Sequence, residues 1–166
     1  TVRECGIEHE CFTRFFGVDI AQALPLTITR GWHIQLALLW ITACWIGASI
    51  FVLSAVGEGD PPGQARLVNL LFGMVLVLVA GMLVGVFMGP KNLLGEYWNL
   101  LGNQGWEFVE LGRLWQMLLM AVFVLWAAIV WRGVRGVWHQ GDAWILPKWL
   151  LYVVLSIVLL FLSAFV

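Results

Sequence analysis

Thr29-Arg30-Gly31-Trp32-His33-Ile34-Gln35-Leu36 runs without a break into the apolar stretch Ala37–Leu53. A cation, an indole and an imidazole stand at the mouth of a segment long enough to cross a bilayer, for which about 20 apolar residues suffice. A histidine at the edge of such a span is costly unless it has a partner, which makes His33 the first candidate functional residue.

Working outward, the apolar pattern divides residues 29–166 into four spans of near-bilayer length, at about 32–55, 67–88, 107–131 and 149–166. Gly57-Glu58-Gly59-Asp60-Pro61-Pro62-Gly63 is a dense turn signal after the first. Gly89-Pro90 ends the second, and the tryptophan-bearing polar segment Arg132–Lys148 separates the last two. Residues 1–28 mix polar and apolar side chains, break at Pro25 and read as an extramembrane or interfacial segment. The expected fold is an all-α, polytopic transmembrane helix bundle.

Composition agrees. The chain is 61% hydrophobic and 11% charged, against about 45–50% and 25% in an ordinary soluble domain, and its mean hydropathy is +0.91. A net charge of −1 leaves no basic stripe for nucleic acid. Eleven tryptophans, several at span ends, match the aromatic belt of a membrane–water interface. Thr1 and the apolar run ending at Val166 lead us to expect a portion of a longer polypeptide. Arg66, Arg132, Arg135 and Lys148 fall on one side and Arg3, Arg14, Arg30 and Lys91 on the other, a tie that leaves orientation open.

Of three cysteines, Cys44 lies mid-span and reads as a small apolar residue. Cys5 and Cys11 have two readings, a disulfide in an oxidising compartment or, with His9, an incomplete metal cluster of unusual spacing. Gly81, Gly85 and Gly89, four apart, form a flat row suited to close helix approach.

On a helix, the face of His33 continues through Ala37, Trp40, Cys44 and Ala48, with Arg30 one turn nearer water. Short side chains beside an imidazole leave room for a flat macrocycle. Imidazole is an axial haem ligand, and a guanidinium pairs with a propionate carboxylate. The plainer reading is an interfacial histidine bonded to headgroups. Glu107 and Glu110 share a helix face near the start of the third span, suited to a cation or to protons, or simply to the first turn of a helix. His9 and His139 lie in polar segments.

Phe15-Phe16-Gly17-Val18-Asp19-Ile20-Ala21-Gln22, then Thr29-Arg30-x-Trp32-His33-Ile34-Gln35-Leu36-Ala37-Leu38-x-Trp40-Ile41, resembles the quinol-dependent nitric oxide reductases of the haem–copper oxidase superfamily. The likeness continues through Asn69-x-x-Phe72 and Gln104-Gly105-Trp106-Glu107-Phe108-x-Glu110-x-Gly112-Arg113-x-Trp115-Gln116. The resemblance implies that His33 ligates a low-spin haem b and that Arg30 faces its propionates. It implies that Glu107 lies near the propionates, at a calcium site in the cytochrome-c-dependent relatives, and that Glu110 supplies protons to the iron centre. It further implies a bacterial inner membrane, residues 1–30 on the periplasmic side, quinol as electron donor and a role in denitrifying respiration. The histidine and glutamate expected before Phe15 at the quinol pocket have no clear counterpart.

The family's non-haem iron takes three further histidines, and both haems take histidines on a late helix. None of these is matched here, so the chain is read as an early portion of the catalytic subunit and not as a catalyst alone. Two rivals stand beside this reading: a nitric oxide dismutase-like relative, and a non-catalytic membrane subunit that packs through its glycine row and binds no haem.

Overall fold

The computed structural model describes residues 14, 15, 18, 19, 24–56, 61–102, 111–135 and 145–163. Two short strands, β1 (Arg14–Phe15) and β2 (Val18–Asp19), come first. They pair antiparallel, with Arg14 opposite Asp19 and Phe15 opposite Val18. Helices α1 (Leu26–Val56) and α2 (Gln64–Met88) follow; a 3-10 turn at Gly95–Tyr97 then leads into the single-turn helix α3 (Trp98–Leu101). Helices α4 (Arg113–Arg135) and α5 (Ile145–Ser163) complete an all-α bundle.

Local chemistry sets the helix ends. The Pro25 carbonyl accepts the Ile28 and Thr29 amides at 2.9 and 3.3 Å, and proline suits this position because it has no N–H to leave unpaired. Helix α1 therefore starts at Leu26, more than a turn before the apolar run at Trp32. Its 31 residues span about 46 Å, more than the roughly 30 Å hydrocarbon layer, so it is long enough to cross with turns to spare or with tilt. Helix α2 follows Gly63, whose φ of 82° lies in the left-handed region that glycine enters without cost. It ends where Gly89 bonds back to Gly85 at 2.9 Å and Pro90 cannot continue the ladder. Pro147 falls in the first turn of α5, where it removes no helix bond.

Helices α1, α2 and α4 are long and apolar enough to cross a membrane, and the chain is a membrane protein on that ground. Helix α5 is apolar through Lys148–Leu160 and packs on α4. Helix α4 is central, touching α1, α2, α3 and α5. Its buried row Leu119, Val122, Phe123, Trp126, Ile129 and Val130 repeats at three and four, the spacing of a single helix face. Leu71, Leu78 and Met82 of α2 and Leu151, Val154 and Val158 of α5 close on that row from either side.

Polar groups join the helices, both inside the core and at its exposed end. The Trp126 indole donates to Ser49 Oγ at 2.8 Å, linking α4 to α1. At the far end Gln64 Nε2 donates to the Ile129 carbonyl at 3.1 Å, and Arg132 donates to the Pro62 carbonyl at 2.9 Å. Bonds of this kind matter inside a bilayer, where burial of apolar surface does not drive one helix onto another.

Candidate functional site

Because α1 begins at Leu26, the whole Thr29–Leu36 stretch is helical. Arg30 and His33 fall one turn apart on the same face, and both are exposed. His33 stands on the lip of a cleft of about 480 Å³ between α1 and α2. Ala37, Trp40 and Ala43 line its α1 side, and Val75 and Val79 of α2 close the other. A second cavity of about 280 Å³ shares Leu39, Ala43 and Val75 with it and continues to Ile50 and Val68, with Leu119 and Val122 of α4 as its floor. Together they form an apolar trough with one imidazole at its mouth.

The row read from the sequence holds for one turn and then diverges. Ala37 and Trp40 line the cleft as expected, but the next lining residue is Ala43 and not Cys44. Cys44 is a free, exposed thiol on the outward face and is not packed in the core. The contribution of α2 was not visible in the sequence, because Val75 and Val79 are ordinary span residues that only packing brings opposite His33.

Trp32 fixes the width of the cleft at its mouth. Its indole donates to the Leu83 carbonyl at 3.0 Å, tying α1 to α2 beside His33. Two polar residues line or adjoin the trough: Thr42, which lines the second cavity and whose hydroxyl donates to the Leu38 carbonyl at 2.8 Å, and Gln35, 1% exposed. Both border a space of about 20 Å³ beneath it, of the size that holds one water.

The second candidate pair cannot be placed in the same way. Glu107 and Glu110 lie outside the described residues, as do Cys5, His9, Cys11 and His139. The helix expected to carry the two glutamates starts later, at Arg113, with Leu111 and Gly112 non-helical before it. Gly112 is closely packed: a Cβ there would come within 2.6 Å of the Leu100 carbonyl and 2.7 Å of the Gly102 carbonyl. Among the described residues no group of three His, Cys, Asp or Glu side chains is placed to hold a metal ion.

The glycine row is filled from within the chain. A Cβ at Gly81 would overlap the Trp115 ring, one at Gly85 would overlap the Leu101 carbonyl, and one at Gly89 would lie 2.7 Å from the Trp98 ring. Trp115 is held there by a 2.9 Å bond from its indole to the same Leu101 carbonyl. The row thus seats the α3 connection and α4, as close approach to protein requires.

In comparison with known proteins, the chain matches no family model and no curated relative.

Proposed function

We propose that this chain is the low-spin haem b-bearing portion of a quinol-dependent nitric oxide reductase, which joins two NO molecules, two electrons and two protons into N₂O and water. One observation carries the reading: His33 stands on the lip of an apolar cleft between two membrane helices, with Arg30 one turn nearer water. The residues present suit the group. A neutral imidazole offers a nitrogen lone pair to iron, Ala37 and Ala43 leave space beside it, and a guanidinium matches a carboxylate in two-point geometry.

A haem at this position supplies one-electron transfer. The chain's own residues hold and shield it: His33 ligates, Arg30 neutralises a propionate, and Ala37, Trp40, Val75 and Val79 keep water from the cleft. A low-dielectric wall around an axial ligand is one of the levers that set a haem potential. The second axial ligand, the non-haem iron and its histidines are assigned to residues outside this chain. On the resemblance alone, the reading extends to Glu110 in proton supply and Glu107 near the propionates or a calcium ion. On the same basis it places residues 1–30 on the periplasmic side of a bacterial inner membrane, with quinol as donor. The dismutase-like alternative differs at positions this chain does not contain.

A reduced-minus-oxidised spectrum of the full polypeptide in its membranes tests the reading. We expect a b-type α-band that His33→Ala abolishes at unchanged protein level. A band that survives the substitution removes His33 from the role. No such band in the unsubstituted protein returns the chain to a non-catalytic membrane subunit.

A further inference from the structure

A second cation, Lys91, stands beside the His33 end of the cleft, in the turn that follows α2. Trp32, next to His33, stacks on Phe87 with centroids 6.2 Å apart and planes 17° from parallel. The Lys91 ammonium sits 4.0 Å from the centroid of the same Phe87 ring. Val79, Leu83, Phe87 and Lys91 follow one another at intervals of four. The first lines the cleft, the second accepts the Trp32 indole N–H, and the third carries the lysine. A ring quadrupole holds an ammonium electrostatically, so Lys91 is held beside the Trp32–Phe87 stack next to His33, while Arg30 stands one turn before His33 on α1. Among the described side chains at this end the formal charges are Arg30, Lys91, Arg113 and Glu96, an excess of cations over a cleft that is apolar inside.

We propose that Lys91, in the turn after α2, and Arg30 of α1 form a clamp for the two carboxylates of one amphiphilic dianion, whose apolar body enters the cleft beneath them. The inference rests on the haem reading and deepens it, naming Lys91 as the second propionate partner. A quinone ring is neutral and offers two such cations only hydrogen bonds to its carbonyls, and a phosphate monoester headgroup presents one anionic centre where two cations stand on separate segments. Exposed ion pairs of this kind change affinity by up to about five-fold each.

The test titrates the full-length polypeptide, in mild detergent, with haem b and with its dimethyl ester, which lacks both carboxylates, and follows the Soret band. The unsubstituted protein should prefer the diacid by about ten-fold, and Lys91→Gln and Arg30→Gln should each lower that preference about three-fold. The double substitution should remove it, Lys91→Arg should keep it, and ester affinity should be the same throughout. Lys91 is exposed, so its substitution does not threaten folding. If Lys91→Gln leaves the preference unchanged while the Soret shift still depends on His33, the clamp is overturned and the haem reading stands. If neither compound gives a His33-dependent shift, both fall together.

Discussion

Gly81, Gly85 and Gly89 of α2 are filled by the chain's own Trp115, Leu101 and Trp98, whereas Ala37 and Ala43 of α1 border an open cleft and Gly47 an open cavity. Both sets consist of short side chains, the glycines four apart and the α1 residues six and four apart. One has become a seam, the other a trough. The helices that bear them differ accordingly: 28% of the most apolar stretch of α2, which carries the glycines, is buried, against 11% for α1. A row of small residues in a membrane helix is therefore not one signal but two. Where backbone carbonyls and an indole can reach it, it is used for contact. Where the facing helices present apolar side chains that do not reach it, it leaves volume for lipid or ligand.

The comparison breaks most sharply at Gly85. Gly85→Leu drives a side chain into the Leu101 carbonyl, a backbone atom that cannot swing aside. We expect a loss of about 3 kcal/mol, at the upper end of overpacking costs, read as a lowered midpoint of detergent-induced unfolding. A change under about 0.5 kcal/mol would mean that the seam is not closed as described.

Ser49→Ala probes the contact that joins the two regions. It leaves the Trp126 indole N–H, 1% exposed at the residue level, without its 2.8 Å acceptor. The expected loss is about 1 kcal/mol, between the membrane average and the cost of an orphaned buried donor. Trp126→Phe combined with Ser49→Ala should cost little more than Trp126→Phe alone, because the donor has already gone.

Gly47→Ala tests the open row. A Cβ there meets nothing within 4 Å, so the helix should gain up to about 0.5–1 kcal/mol from lost unfolded-state freedom. The smallest stability effect is expected for Ala43→Phe, under about 0.5 kcal/mol because Ala43 is exposed. It should nonetheless remove the His33-dependent α-band, since Ala43 lines both parts of the trough. A variant that keeps the band would show that the trough does not hold the group.

Much of the fold was legible in the chain itself. The apolar runs, the Gly57–Gly63 turn and Gly89-Pro90 marked the helices because backbone polar groups in hydrocarbon must be paired internally, leaving the helix as the natural spanning form for an apolar run of this length. Boundaries were less legible at both ends of the argument. Helix α1 starts earlier than its apolar run because Pro25 can open a helix through polar residues, and α4 starts later, after a glycine packed against two carbonyls of the preceding turn. Neither feature is a property of hydrophobic pattern. Of the candidate site, Arg30 and His33 could be set on one face by spacing alone, while Ala43, Val75, Val79 and Lys91 needed the partner helix in place.

The sequence by itself determined that this is a helical membrane protein and that one imidazole and one guanidinium share a turn at the mouth of a span. Length, apolarity and the period of 3.6 are local quantities, and they are written along the chain. Only the tertiary structure decided which row of small residues would close and which would stay open. That depends on what faces each row across the bundle: Trp115 anchored on Leu101 for the glycines, Val75 and Val79 for the alanines beside His33. A facing surface is a property of two helices at once, and no single stretch of sequence carries it.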